Sequence, residues 1–244
     1  MIIAGNWKMN MDRASAQKLA EDLSGQAAMM KDYAEMIVFP PAVLIDTVIA
    51  SRADQNLQVG GQDCHAHPSG AHTGDISAPM LADAGCGWVL AGHSERRSDH
   101  HESNEDVAAK AKAGLAAGLK VIICVGETLE ERQAGKANDV VAAQIQGSMP
   151  ADIPHDGFAI AYEPVWAIGT GQVASVADVE AMHDHIRQVL MARDAGYAKV
   201  DILYGGSVKP DNAAALLALE NVGGALVGGA SLKAEGFIAI ARSV

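Results

Sequence analysis

The chain has 244 residues, 49% of them hydrophobic and 4% aromatic, with a formal net charge of −12. That is enough apolar material for one large α/β domain or two small ones, and abundant Ala and Gly suit helices packed closely on strands. The acidic balance excludes a basic face for nucleic acid, and it means that an anionic ligand would need a locally positive pocket.

In chain order, the first expected strand is Ile2 to Trp7. Its period of two puts Ile2, Ala4, Asn6 and Lys8 on one face and Ile3, Gly5 and Trp7 on the other. It opens the sequence with no basic and apolar leader pattern, so no secretory signal is expected. Residues 13–30 carry apolar positions at helical spacing. Met36 to Phe39 reads as strand two, stopped by Pro40-Pro41, then Val43 to Ala50 as a short helix and Leu57 to Gly60 as strand three. The polar stretch Gln62 to Ser77 exceeds ordinary βα loops and points to a functional or interface role. Ser77 to Ala84 reads as a helix, Gly87 to Ala91 as strand four, and Gly92-His93-Ser94-Glu95-Arg96-Arg97 as the start of a helical turn. Asn104 to Ala117 is the main helix after it. Lys120 to Val125 is strand five, followed by helical residues from Thr128 to about Gly147. Gly157 to Tyr162 is strand six and 175–193 a helix. Val200 to Tyr204 is strand seven with a helix from Pro210, which suits a first helical turn. Val222 to Val227 is strand eight, ahead of a last helix.

Eight β-then-α units without an interrupting linker imply a parallel sheet covered by helices. In about 250 residues they fit a closed (β/α)8 barrel, one domain over 1–244. The alternative is an open doubly wound sheet, but strand one lacks the G-x-G-x-x-G turn of a dinucleotide fold. Cys64, Cys86 and Cys124 are far apart and without metal-ligand spacing, which points to a reduced intracellular protein. No apolar run approaches the ~20 residues of a membrane span.

In such a barrel, polar residues at strand C-terminal ends converge on one face. Those ends supply Asn6 and Lys8, His93, and Glu163. A carboxylate, an imidazole and an ammonium are the groups that move a proton beside a carbonyl and steady the enediolate. His93 directly precedes a helical turn begun by Ser94-Glu95. A helix N-terminus disfavours the imidazolium, so this ring is expected to be neutral and to act through Nε2–H. Glu95 and Ser94 are expected to support these groups from behind, and Cys124 to be a packed thiol below them. After Glu163 come Pro164, the apolar run Val165-Trp166-Ala167-Ile168, and Gly169-Thr170-Gly171. Pro164 stops the strand. Apolar side chains at a loop tip are costly to leave in water, which points to a lid with a closed state. Gly169, Gly205-Gly206-Ser207 and Gly228-Gly229 make three glycine turns. The last two follow strands seven and eight, where barrels commonly hold phosphate on backbone N–H groups.

Six stretches together resemble the triosephosphate isomerase family over essentially the full length: Gly5-Asn6-Trp7-Lys8, Gly92 to Arg97, Cys124-Val125-Gly126-Glu127, Ala161 to Gly171, Tyr204 to Val208, and Gly228-Gly229-Ala230-Ser231. The resemblance implies a TIM barrel that interconverts dihydroxyacetone phosphate and D-glyceraldehyde 3-phosphate. In it Glu163 would be the base, His93 and Asn6 would act on the oxygens, and Lys8 would stabilise negative charge. Phosphate would sit on amides of Gly169, Ser207, Gly228 and Gly229. No metal or organic cofactor is implied. The expected setting is the cytoplasm, in glycolysis or gluconeogenesis, with a phosphorylated triose as the small-molecule partner and neither nucleic acid nor membrane involved. The expected assembly is a homodimer whose long third loop, through His72, Thr73 and Gly74, enters the partner beside Asn6 and Lys8. His72 stands where Phe is commoner and Asp63 where Asn is commoner, departures that bear on the dimer contact rather than on the catalytic groups. Two rivals stay open. An aldolase would want a Schiff-base lysine, for which Lys8 is the one candidate. A non-catalytic phosphate-binding barrel would be expected to lack one of Glu163, His93 or Lys8.

Overall fold

Alternate residues of every strand but the third enter different cores. Ile2, Ala4, Ile37, Phe39, Leu90, Ile122, Cys124, Ala161 and Leu203 form one buried cluster, while Ile3, Trp7, Val38, Val89 and Ile123 join a second with the helix residues Leu19, Leu23, Val107 and Ile186. The first cluster fills the inside of a barrel and the second glues the barrel to its helices, so the strands are apolar on both faces, as a covered parallel sheet requires, except the third, whose Gln58 and Gly60 join neither cluster. The structure, a computed structural model, describes residues 1–168 and 174–244. Among these, the strands are β1 (Ile2–Asn6), β2 (Glu35–Phe39), β3 (Leu57–Gly61), β4 (Trp88–Ala91), β5 (Lys120–Val125), β6 (Phe158–Tyr162), β7 (Ile202–Tyr204) and β8 (Gly224–Val227). They pair in parallel in sequence order, and β8 closes on β1 through Ile2↔Gly224 to Gly5↔Val227.

The covering helices are α1 (Arg13–Met30), α2 (Ile45–Ser51), α3 (Ala78–Asp83), α4 (Ser94–Asp99), α5 (Asn104–Ala116), α6 (Leu129–Gln133), α7 (Ala137–Ser148), α8 (Val176–Arg193), α9 (Ala213–Leu217) and α10 (Ala234–Ala241). Reciprocal capping boxes start α1 at Asp12, α5 at Ser103 and α8 at Ser175. No helix among the described residues is long and apolar enough to cross a membrane.

Three of the boundaries that differ from expectation have a clear local reason. The helix expected from Thr128 to Gly147 is two helices, because Gly135 at φ +71 turns the chain between α6 and α7. The helix expected from Pro210 begins at Ala213. Residues 209–212 form a turn in which the Asn212 side chain accepts from the Lys209 amide (2.8 Å) and donates to Ser207 O (3.0 Å). Strand β7 starts at Ile202 rather than Val200, since Ala195–Lys199 is a 3-10 turn that Val200 terminates.

Candidate active site

At the end of β1 the Trp7 amide still donates to Phe39 O, but Lys8 then turns to φ +51. A lysine in the left-handed region costs roughly 1–2 kcal/mol and persists only where its surroundings hold it. Here the Lys8 amide donates to Asn6 Oδ1 (2.9 Å), and the Gln62 side chain donates to Lys8 O (2.8 Å). Asn6 is therefore buried with its side chain committed to shaping the backbone below the cation. The Lys8 ammonium meets Glu95 Oε1 at 2.6 Å. Both side chains are partly exposed, so this pair positions the ammonium more than it stabilises the fold.

His93 is the N-cap of α4. Its Nδ1 accepts from the Glu95 amide at 3.3 Å, and its Nε2 lies 2.8 Å from Glu163 Oε1. The other carboxylate oxygen accepts from the Ser94 amide at 2.9 Å. Glu163 is 2% exposed and His93 5%, so almost no water screens the contact. Burial works against the Glu163 carboxylate, but His93, the Ser94 amide and Lys8 together hold it below the usual range. Burial likewise works against an imidazolium at His93, but the Glu163 carboxylate and then Glu95 outweigh it and raise that ring above its ordinary value. The ring's bonds match the expected tautomer, with Nδ1 accepting and Nε2 facing an acceptor. The rise in proton affinity was not expected, and it comes from Glu163 folded back onto the ring.

This pair gives a pH signature. His93, raised in the folded chain, adds stability that is fully present below its unfolded value of about 6.5 and is lost as pH rises through the folded value. Glu163, lowered in the folded chain, adds stability that is present above its unfolded value of about 4.3 and is lost as pH falls through the folded value. The melting-temperature advantage of the parent over His93→Gln is therefore largest between about pH 4.3 and 6.5 and shrinks on going to alkaline pH. An advantage that grows from pH 6 to pH 9 would contradict this account.

Behind these groups the packing is tight. Cys124 is fully buried, and burial together with Glu163 pushes its thiol pKa far up, so it stays a neutral filler. Arg97 fans beneath His93, donating to Gly92 O (2.9 Å), Asn104 Oδ1 (2.8 Å), Cys124 O (3.1 Å) and Ser148 Oγ (2.9 Å). It ties the ends of β4 and β5 to α5 and α7. Glu127, wholly buried, gathers three donors on Oε1: Tyr162 Oη (3.1 Å), Arg132 (3.1 Å) and Trp166 Nε1 (2.8 Å). Arg132 also pairs with Asp178 in the first turn of α8 and sits 4.9 Å from the Trp166 ring centroid. These groups bracket the stretch after Glu163. Val165–Ala167 is a 3-10 turn with Ala167 buried and Val165, Trp166 and Ile168 half-buried. The expected lid residues Gly169, Thr170 and Gly171 lie outside the described residues.

The groups from β1, β4 and β6 open onto one cavity of about 410 Å³, which is also lined by Gly205, Gly206, Ser207, Gly228 and Gly229. Gly228 lies against Lys8, since a Cβ there would sit 3.5 Å from Lys8 Cε. Gly229–Leu232 forms a 3-10 turn, and Ser231 Oγ donates back to Gly228 O (2.6 Å). Asn6, Lys8, His93, Glu163, Ser207, Gly228 and Gly229 are thus brought together, with Ser94, Glu95 and Cys124 supporting them. Of the three loop residues expected at a dimer contact, Gly74 lines a second cleft of about 760 Å³ beside Lys8, and Thr73 is exposed. The hub roles of Arg97 and Glu127 were not anticipated, although both stand within the motifs singled out above.

A histidine whose Nδ1 accepts from a backbone amide, a buried carboxylate and a lysine at the rim of a glycine-lined cavity define a barrel enzyme that moves protons on a small anionic substrate. The comparisons narrow this. The triosephosphate isomerase family model matches residues 1–244. The triosephosphate isomerase of Xanthobacter flavus is 54% identical over 244 residues, covering 100% of this chain and 97% of that protein. That of Caulobacter vibrioides is 50% identical over 249 residues, covering 100% and 96%. The crystal structure of triosephosphate isomerase from Bartonella henselae superposes with a TM-score of 0.90 at 44% identity, over 99% of this chain and 98% of that one. The chain belongs to the triosephosphate isomerase family, and its substrate is a phosphorylated triose.

Proposed function

We propose that Glu163, His93, Lys8 and Asn6 carry the interconversion of dihydroxyacetone phosphate and D-glyceraldehyde 3-phosphate in this chain. The observation that carries this is the buried contact between Glu163 and His93 Nε2 at the wall of the cavity that Lys8 also lines. The Glu163 carboxylate takes a C1 proton, and the C–H electrons form the C1–C2 double bond as the carbonyl pair moves to O2. His93 donates its Nε2 proton to O2 and recovers one from O1, and Glu163 returns its proton to C2. Lys8 offsets the enediolate and phosphate charge, and Asn6 helps orient the oxygens. When Glu163 swings from the ring to the substrate carbon, His93 loses the contact that raised its pKa. Burial and the N-terminus of α4 remain, and both favour the neutral ring against the remaining pull of Glu95. Amides at Ser207, Gly228 and Gly229, with Gly169 of the lid, hold the phosphate. The lid from Pro164 to Gly171 closes over it, excluding water and retaining the enediolate.

On this reading one barrel domain over 1–244 works in the cytoplasm, in glycolysis and gluconeogenesis, as a homodimer. The dimer reading is supported by the exposed 70–75 loop and by the open cleft of about 760 Å³ beside Lys8. A coupled assay that follows glyceraldehyde 3-phosphate consumption tests the reaction, and failure of the purified protein to turn over would overturn it. Thr73→Arg places a charge at the loop tip. It is expected to shift sedimentation from dimer to monomer and to cut kcat at least about tenfold, because burying an unpaired cation is unfavourable. Unchanged sedimentation would remove the loop from that role.

A further inference from the structure

The long loop after β3 carries a feature that the isomerase reaction does not use. His65, His67 and His72 each offer a ring nitrogen, and these three atoms all lie within 4.8 Å of one another. Among the described residues no other three His, Cys, Asp or Glu side chains meet in this way. We propose that these three histidines form a binding site for one borderline transition-metal ion of the Zn2+ type, separate from the isomerase cavity.

Local sequence builds the site. In His65-Ala66-His67 the chain bends directly after the bridge residue His65, and the His67 amide reaches back to the His65 ring, which brings the two imidazoles together. The His65 backbone is pinned by its amide to Ile76 O (2.8 Å) and by an isolated bridge to Ser77. The return strand of the loop brings back His72, whose carbonyl accepts from the Asp75 amide (3.1 Å) in a turn that Gly74 makes at φ +99.

Stacking accounts for part of the cluster but not all of it. The His65 and His72 rings lie face to face, with centroids 3.8 Å apart and a 33° tilt, as two aromatic side chains would pack. His67 instead stands edge-on to both, and its Nδ1 faces His72 Nε2 at 3.3 Å. Two lone pairs at that distance need one shared proton between them. Two nitrogens bound at 2.0–2.1 Å to one tetrahedral ion are also ~3.3–3.4 Å apart. An ion can therefore replace the shared proton with little movement of either ring, as the His72 proton passes to its Nδ1 and the ring stays a neutral ligand. The third ligand comes from His65. Its Nε2 faces Asp75 Oδ2 at 3.8 Å, and its Nδ1 now accepts from the His67 amide at 3.0 Å. A carboxylate beside the far nitrogen is the usual companion of a metal-bound histidine. His65 Nδ1 exchanges the amide for the ion, while Asp75 holds the Nε2–H tautomer. Water completes four-coordination on the side where His67 is exposed.

Isothermal titration of ZnCl2 into chelator-treated, tag-free protein tests this. One saturable ion per chain is expected. His72→Phe and His67→Gln are each expected to weaken binding at least about 100-fold, and Asp75→Asn about 10-fold, as loss of a ligand-orienting carboxylate does. His155→Gln, which alters an exposed histidine elsewhere, should leave the isotherm unchanged. Cobalt(II) loading should give visible d–d absorption of four-coordinate intensity that disappears in His67→Gln. That variant changes an exposed side chain and keeps the readout even if His72→Phe fails to fold. Non-saturable binding, or equal affinity in parent and His67→Gln, would overturn the proposal.

Discussion

Glu163→Gln is expected to bind a phosphorylated triose almost as tightly as the parent while kcat falls by about 10²–10⁴, the range that general base catalysis commonly supplies. The cavity floor, the glycine turns and Lys8 are untouched by the change, so KM should move little. The substitution removes more than a charge. Two donors, His93 Nε2–H at 2.8 Å and the Ser94 amide at 2.9 Å, converge on the two carboxylate oxygens. An amide offers one acceptor oxygen and turns an NH2 toward the other donor. The variant therefore loses its base and also loosens the resting position of His93. Steady-state kinetics beside equilibrium binding of a phosphate-bearing inhibitor separate the two effects. Activity within threefold of the parent would remove Glu163 from the role of base.

Gly126→Ala is expected to be among the most disruptive single methyls at the described glycines. A Cβ at position 126 would fall 1.7 Å from the carbonyl oxygen of Glu163 and 2.6 Å from its carbonyl carbon, both backbone atoms with nowhere to retreat. Gln144 clamps the same peptide from the other side, accepting from Gly126 N at 2.7 Å and donating to Gly126 O at 3.0 Å. Either β5 and β6 separate at their ends, or the Gln144 bonds break. Both belong to the exceptional class of substitutions costing more than about 4 kcal/mol. Denaturant titration should show the midpoint collapse, or the variant should fail to accumulate folded. Any folded fraction should have a displaced Glu163 and a depressed kcat. A midpoint equal to the parent's would show that the strand ends are far softer than this packing implies.

The barrel and the reactive groups were legible in the sequence because both rest on local signals. Period-two strands separated by helical stretches give the eight units, and Asn6, His93 and Glu163 each stand where an apolar run stops. What sequence could not supply is contact between distant residues. Arg97 reads as one charge in a polar turn, yet it bonds to Cys124 at the end of β5 and to Ser148 at the end of α7. Glu127 reads as a residue flanking a glycine, yet it is the common acceptor for Tyr162, Arg132 and Trp166. The division between α6 and α7 turns on the positive φ of Gly135, and nothing in the composition around it distinguishes a break from a tolerated helical glycine. His65, His67 and His72 are separated by two and five residues, a spacing that names no site by itself, and only the fold of the loop brings the three rings together.

The left-handed turn at Lys8 bears on the order in which the molecule comes to life during refolding. Its φ of +51 is held by the side chains of Asn6 and Gln62, one at the end of β1 and the other just past β3. The Asn6 bond spans only two residues, but the Gln62 clamp does not exist until β1 and β3 have both docked beside β2, and until then the strained turn at Lys8 is held from one side alone. Helical content and barrel closure can therefore return before the cation is aimed. Regain of turnover should report the last adjustment of the native state rather than its collapse.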